Sequence, residues 1–366
     1  MKSFITSSLA GLCGCLLSAM ALGSCSMMTD DRSDCPTGLY LTFKYDYNLQ
    51  RADMFSDHVG AVDVYVFDEQ GHYVTCQSAA NTATGIGPLA DPLYRMQMDL
   101  APGKYQFIVL AGQKSYTEQL AAQRAHFVRT ELAPGDSMSA LEVRLDAQLR
   151  QRAVSDVNHL NAPLDTLWHG IHTGLVEVYP ENPSYATISL VRDTKKINVT
   201  LRELEDPTEM DIHDYDLRII DRNAHILWNN ALDETDTVVY TPHALWNTDD
   251  RTPAFDGQGN EIVGTGHTGH ADFMTSRILW HDDPAADGVL LVTHRPTGKV
   301  VARLNLPDCL SRLRTAEETG AYSRQEFLDR GYDYNLSLFL SDGRLVEVEV
   351  SISVLGWAQR WQLEEL

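Results

Sequence analysis

The sequence predicts an all-β protein built from two β-sandwich domains. Apolar and polar residues alternate in many short runs, and turn residues separate these runs from one another. The chain has 366 residues, which is enough for about two domains of ordinary size. Hydrophobic residues make up 43% of the chain and charged residues 22%, so the composition excludes a wholly disordered protein.

The net charge excludes further classes of protein. The chain carries a formal charge of −22 at pH 7, and a protein this acidic lacks the basic surface that binds nucleic-acid phosphates. An anionic membrane surface repels the same charge. Any attachment of the protein to a membrane must therefore be hydrophobic or covalent.

Residues 1–24 have the composition of a lipoprotein signal peptide. Lys2 supplies a positive start, an apolar centre follows around Leu12 to Leu22, and small residues come after it. A membrane-spanning helix is the alternative, because the uncharged run is long. Ser, Thr and Gly dilute the middle of the run and no basic cluster follows it, which favours the signal peptide.

Cys25 is the candidate residue for lipid attachment. It ends the sequence Leu22-Gly23-Ser24-Cys25, which resembles a bacterial lipobox, and its thiol can carry a lipid through a thioether bond. The alternative is a chance cysteine in an ordinary signal peptide. Two acyl chains are enough for stable anchoring. We therefore predict that Cys25 is lipidated and that residues 25–34 form a tether.

Three other cysteines remain in the mature chain: Cys35, Cys76 and Cys309. They allow at most one disulfide. Cys35 and Cys76 are a candidate pair because both lie at the ends of predicted strands in the same half of the chain, although sequence alone does not give their geometry. The alternative for each cysteine is a small buried hydrophobic side chain.

The first domain is predicted over residues 35–179. Ser115, followed three residues later by Glu118, predicts a short capped helix. Alternating runs, together with one continuous apolar run, predict strands at Leu39 to Tyr45, Val62 to Val66, His72 to Cys76, Tyr94 to Leu100, Tyr105 to Ala111 and Leu141 to Leu145.

The second domain is predicted over residues 184–366, after a linker at 180–183 that two prolines punctuate. Ser323 predicts a second capped helix, and Asp342-Gly343 predicts the turn of a closing hairpin. The tail from Trp361 to Leu366 either packs on this domain or, as we favour, contacts a partner. Strands are predicted at Ala186 to Val191, Ile197 to Leu201, Leu217 to Ile220, Val238 to Tyr240, Val289 to His294, Val300 to Leu306, Tyr332 to Leu340 and Leu345 to Val354.

Four histidines in a stretch that resembles a loop are candidates for a metal site: His243, His267, His270 and His281. No second cluster with ligand spacing accompanies them, and a metal site also needs groups that orient its ligands. Solvated histidines are therefore the favoured interpretation. Residues 256–261 resemble a calcium loop but lack the ligands at positions three and twelve of an EF-hand, which favours a turn. We predict no metal ligands.

The sequence contains no catalytic template. It lacks the G-x-S-x-G elbow, the P-loop and the H-E-x-x-H motif, so we predict no catalytic residues, no enzymatic activity and no cofactor. Paired carboxylates for glycoside hydrolysis stay open, because acidic residues are abundant. The tryptophans either stack on sugars or pack in the core; they are Trp168, Trp228, Trp246, Trp280, Trp357 and Trp361.

Several motifs together resemble the fimbrillin-A-associated anchor protein family, the lipidated minor subunits of donor-strand pili in Gram-negative anaerobes. The resemblance spans nearly all of the mature chain. It implies that the two domains are transthyretin-like β-sandwiches. Besides the lipobox, the matching motifs are Asp34-Cys35-Pro36, Val64 to Asp68, Leu100 to Tyr105, Leu167 to Gly170, Val191-Arg192, Lys196 to Val199 and Tyr334 to Trp357.

The resemblance also implies a function in cell adhesion. The protein would be a non-enzymatic lipoprotein of the cell surface that attaches a fimbrium to the outer membrane through lipidated Cys25. Its partners would be fimbrial stalk or other pilus subunits and the outer membrane, and no nucleic acid. Anchor, tip and accessory roles stay open, as does the strand that is exchanged. The alternative is a surface glycan-binding lipoprotein, which would need exposed aromatic side chains.

Overall fold

The computed structural model describes residues 37–82, 87–122, 125–146, 148–150, 154–157, 161–250, 254–255, 258, 261–262, 266–354 and 357–364. Strands hold 48% of the residues and helices 14%, which confirms the predicted all-β class. Cys25 and Cys35 lie outside the described residues. Within the ranges given, no helix is long and apolar enough to cross a membrane.

The strands of the first half, in chain order, are β1 (Leu39–Lys44), β2 (Ala61–Asp68), β3 (Tyr73–Ala80), β4 (Met96–Met98), β5 (Gly103–Gly112), β6 (Phe127–Arg129), β7 (Val143–Leu145), β8 (Gln148–Arg150), β9 (Val154–Asp156), β10 (Trp168–Val178), β11 (Ser184–Arg192) and β12 (Lys195–Glu203). Those of the second half are β13 (Tyr215–Asp221), β14 (His225–Ile226), β15 (Thr237–Tyr240), β16 (Ala244–Asp250), β17 (Ala254–Phe255), β18 (Glu261–Ile262), β19 (Gly266–Thr275), β20 (Val289–His294), β21 (Lys299–Asn305), β22 (Asp333–Ser341), β23 (Arg344–Val354) and β24 (Trp357–Glu364).

The helices among these residues are short. Ser115 and Glu118 form the predicted reciprocal cap of the second helix, and Ser323 accepts a hydrogen bond from the Glu326 backbone at the start of the last one. The α-helices are α1 (Phe55–His58), α2 (Tyr116–Ala121), α3 (Leu306–Ser311), α4 (Ala316–Ala321) and α5 (Arg324–Arg330), and 3₁₀ turns cover Pro88–Ala90, Met138–Ala140, Pro207–Glu209 and Ile212–Asp214.

The first sandwich is formed by one seven-stranded sheet, in the order β3-β2-β5-β10-β11-β1-β4. β11 belongs to both layers, because Ser184 to Ser189 pair with β1 whereas Leu190 to Arg192 pair with β10. A strand that passes from one layer to the other makes the corner of such a sandwich. A buried cluster from β1, β2, β4 and β5 fills the space between the layers.

The continuous apolar run of β5 is explained by burial of both faces of this strand. Phe107 and Val109 belong to the core of the first sandwich. Ile108 and Leu110 belong to a second core on the other side of the sheet. A strand that alternates between two cores needs apolar residues at every position.

The second sandwich packs two six-stranded sheets against each other. Their orders are β16-β19-β12-β22-β23-β24 and β21-β20-β13-β15-β9-β8. The inner faces of both sheets share one buried cluster, to which the first sheet contributes Val199, Phe273 and Leu336 and the second contributes Ile219, Val238 and Leu290. The predicted sandwich architecture is therefore present in both halves of the protein.

The predicted boundary between the domains is wrong. Residues 180–183 connect β10 to β11 within one seven-stranded sheet. The far ends of these two strands pair antiparallel, from Trp168 opposite Arg192 to Gly170 opposite Leu190. In addition, β9 pairs with β15 and β7 pairs with β14, so strands before residue 179 share sheets with strands after it. The division into 35–179 and 184–366 fails because strands pair across it.

Candidate functional site

The predicted lipid-attachment residue, Cys25, lies outside the described residues, so its lipidation stays a prediction. The first described strand begins at Leu39, 14 residues further along the chain. An extended chain spans at most about 3.5 Å per residue. A lipid on Cys25 would therefore keep the start of β1 within about 50 Å of the membrane. Because Cys35 also lies outside, its pairing with Cys76 stays a prediction as well.

A buried ion cluster joins the two sandwiches where β11 passes into β12. The Lys195 ammonium donates hydrogen bonds to the backbone carbonyls of Arg192, Asp329 and Gly331, at 3.1, 2.9 and 2.8 Å. The Arg277 guanidinium donates to both carboxylate oxygens of Asp329 at 2.7 Å. Burial lowers the pKa of Lys195, while the nearby carboxylates oppose that shift. The cluster ties β12 to the end of α5.

Aromatic rings cover the same junction. The Arg192 guanidinium lies 4.1 Å from the ring centroid of Tyr332 and 5.3 Å from that of Trp168. Tyr45, which follows β1, meets Trp168 edge to face at 5.9 Å. These contacts connect β1 of the first sandwich to Tyr332, which lies just before β22 of the second.

β24 is the terminal strand of its six-stranded sheet. It pairs antiparallel with β23, from Trp357 opposite Val354 to Glu364 opposite Glu347. The backbone of the tail therefore pairs with its own sheet as far as Glu364. This pairing includes Trp361, for which the sequence favours a contact with a partner. No strand of the described ranges pairs with the outer edge of β24. Such an edge offers backbone donors and acceptors to a strand from another chain.

The structure places three of the four candidate histidines on or beside the paired strands β16 and β19, and His281 elsewhere. His267 and His270 lie on β19, a strand inside the sheet and not a loop, and His243 precedes β16. His281 instead lies between two carboxylates, each 3.0 Å from a ring nitrogen. Among the residues described, no group of three or more His, Cys, Asp or Glu side chains could hold a metal ion. The calcium-loop candidate at 256–261 falls mostly outside the described residues.

The tryptophans differ in exposure. Trp168 is fully buried, and Trp228 and Trp280 pack against the core of the second sandwich. Trp246, on the edge strand β16, is 39% exposed. Both Trp357 and Trp361 lie on β24. Trp246 is thus the exposed indole among the described tryptophan side chains.

Comparison with known families decides the class of protein. The model of the fimbrillin-A associated anchor proteins Mfa1 and Mfa2 matches residues 32–362. The chain belongs to the fimbrillin-A associated anchor protein family. It is therefore a fimbria-associated protein from a family of anchor proteins rather than of enzymes. Among curated proteins, none matches the chain.

Solved structures share the fold. A candidate adhesin from Bacteroides thetaiotaomicron is 26% identical, with a TM-score of 0.68 over 89% of this chain and 98% of that one. A candidate polysaccharide-binding protein from the same organism is 28% identical, with a TM-score of 0.68 over 90% of this chain and 100% of that one. The fimbrial anchor protein Mfa2 from Porphyromonas gingivalis is similar in fold, at 17% identity and a TM-score of 0.59 over 91% and 100% of the two chains.

Proposed function

We propose that the protein is an outer-membrane lipoprotein that serves as a fimbrial anchor or accessory subunit and is attached through lipidated Cys25. The family match from residue 32 to residue 362 is the observation that carries this proposal. The lipobox-like sequence Leu22-Gly23-Ser24-Cys25 ends seven residues before that match. Removal of residues 1–24 would leave Cys25 as the lipidated start of a short tether, residues 25–34.

The fold provides a path for mechanical load from the tether. A pull on the tether acts on β1, which pairs in parallel with β11 from Leu39 opposite Ser184 to Lys44 opposite Ser189. β11 ends at the ion cluster around Lys195, which joins the second sandwich. Load would therefore pass through backbone ladders and a buried junction, and not through loops.

The open edge of β24 is our candidate for the subunit contact. A strand from a stalk or other pilus subunit can add to an exposed sheet edge through backbone hydrogen bonds. This edge lies on the second sandwich, whereas the tether enters the first at β1. The two attachments would then sit on different parts of the molecule.

The proposal is tested by substituting the lipidated residue in cells that carry the fimbriae. Cys25→Ala should leave fimbriae assembled but release them into the medium, because acyl chains and not the acidic body hold the anchor to the membrane. Cys35→Ala is the matched control and should retain them. Fimbriae that stay on Cys25→Ala cells would contradict the proposal.

A second candidate function, a surface glycan-binding lipoprotein, is favoured by one specific observation. Trp246 is 39% exposed on a sheet face, and indole rings exposed in this way commonly mark binding surfaces. The relative of 28% identity that is described as a candidate polysaccharide-binding protein adds support.

A further inference from the structure

We propose that the outer face of the six-stranded sheet at Trp246 and His270 binds a neutral saccharide. The inference rests on the second function proposed above and gives it a site and a class of ligand. It does not depend on the anchoring role of Cys25.

The proposed site is a row of side chains that crosses neighbouring strands. Trp246 of β16 lies opposite His270 of β19, His270 opposite Thr200 of β12, and Thr200 opposite Ser337 of β22. The alternate residues of β12, β19 and β22 are buried in the core of the second sandwich. Since successive side chains point to opposite faces of a sheet, this row stands on the outer face.

The two aromatic rings are held in position before any ligand arrives. The ring centroids of Trp246 and His270 are 5.0 Å apart, and their planes differ by 13°. The imidazole is fixed from both sides, because its Nε2 lies 2.8 Å from the Thr248 hydroxyl and its Nδ1 lies 3.5 Å from the Thr200 hydroxyl. An indole stacked on a fixed ring loses little freedom when a ligand binds.

A second row, two residues along the strands, supplies polar groups. Asp272 lies opposite Asn198, and Asn198 lies opposite Asn335. The Asn198 amide donates hydrogen bonds to the side-chain oxygens of Asn335 and Asp333, both at 3.0 Å. The spacing between the rows is about 7 Å, so a ligand of one or two sugar rings would contact both.

The side chains in these two rows indicate which class of ligand the site binds. An indole accepts the C–H face of a sugar ring, while amide, hydroxyl and carboxylate groups bond its hydroxyls. One indole and one imidazole among polar groups form too small an apolar patch for a stable protein interface. The charge of −22 and the carboxylate of Asp272 disfavour acidic polysaccharides and nucleic acids. A neutral saccharide fits both the ring and the charge.

The position of the site also suits a subunit of a fimbrium. β16 and β24 are the opposite edges of the same six-stranded sheet. A saccharide at Trp246 would therefore leave the open edge of β24 available for another subunit.

One other exposed aromatic cluster competes for the same assignment. On the first sandwich, Tyr185 is 57% exposed, and it stacks with Tyr40 at 5.6 Å. The Arg95 guanidinium also lies 5.6 Å from the Tyr185 ring. The tyrosine pair thus has a cation beside it, whereas the proposed site has the carboxylate of Asp272. Substitution of Tyr185 therefore serves as the comparison for substitution of Trp246.

The test uses the full mature protein with two neutral polysaccharides, glucomannan and laminarin, and with heparin as an acidic comparison. We expect calorimetry to detect binding of at least one neutral polymer, with no binding of heparin. Trp246→Ala should weaken that binding about tenfold or more, and Trp246→Phe should weaken it less, because the phenyl ring keeps part of the stacking surface. Tyr185→Ala should bind like the wild type.

Each other outcome has a definite meaning. If the wild type binds neither neutral polymer, the glycan-binding function and its site both fail. If the wild type binds and Trp246→Ala binds equally well, the function stands and the site is wrong. A loss of binding on Tyr185→Ala alone would move the site to the first sandwich. Circular dichroism melting of each variant should match the wild type, because both rings are exposed at the surface.

Discussion

At the scale of single residues, the buried junction at Lys195 is one of the places where the two sandwiches are joined. Arg277 and Asp329 form a pair whose side chains are only 15% and 7% exposed. Removing one partner of a buried pair leaves the other charge uncompensated. The sequence contained a signal of this junction, the polar run Arg192 to Lys195 between two apolar strands. It gave no means to tell a loop from a buried cluster, because the partners lie far along the chain.

The first prediction concerns this pair. Arg277→Met should lower the free energy of unfolding by about 3–5 kcal/mol, because the buried Asp329 would lose the guanidinium that bonds both of its carboxylate oxygens. Denaturant unfolding followed by tryptophan fluorescence measures the loss. Arg51→Met is the control, since Arg51 and Glu317 form a pair at 3.1 Å that is 52% and 76% exposed, and such surface pairs contribute little. Equal effects of the two substitutions would show that the cluster is not a structural joint.

At the scale of elements, periodicity predicted the strands that follow a simple alternation. β1, β2, β12, β22 and the hairpin turn at Asp342-Gly343 all occur as predicted. β10 was missed because polar residues interrupt it and its register shifts between His172 and Val176. β19 was missed because glycines and histidines hide the alternation of its apolar residues. One of these glycines, Gly269, is required by packing, since a Cβ at this position would lie 2.9 Å from the Cβ of Ile212.

The second prediction concerns β24. Deleting residues 355–366 should lower the thermal unfolding midpoint and increase aggregation, because β23 would lose its partner strand and become an exposed edge. Deleting only 365–366, which lie beyond β24, is the control and should change neither. A midpoint unchanged by the longer deletion, together with loss of fimbrial attachment, would instead show that the tail serves only a partner.

At the scale of the whole molecule, the sequence predicted two sandwiches but placed their boundary at the connection between β10 and β11, which lie in one sheet. Two prolines in 180–183 resemble a linker. Only the pairing of β11 with both β1 and β10 reveals that the sheet continues. Long-range pairings of this kind, such as β9 with β15, leave no mark in local sequence. The sequence also could not show which tryptophans are exposed. The exposure of Trp246 and the burial of Trp168 depend on tertiary packing.

The third prediction follows from this pairing. A fragment of residues 34–179 should not fold cooperatively, because it lacks β11 and separates β7 and β9 from β14 and β15. A fragment that ends at Asp193 should regain β structure by circular dichroism, since it restores β11. Only the mature chain should unfold in a single sharp transition. A sharp transition in 34–179 alone would restore the boundary predicted from the prolines.

The account of the whole molecule depends most on the attachment at Cys25, and mass spectrometry of the amino-terminal peptide tests it directly. The protein is purified from outer membranes of cells that produce the full chain, with Cys25→Ala and Cys35→Ala variants processed in parallel. We expect the wild type and Cys35→Ala to begin at Cys25 with acyl chains on that residue, and Cys25→Ala to be absent from the membrane fraction. An unacylated Cys25, or a Cys25→Ala protein still bound to the outer membrane, would contradict the account.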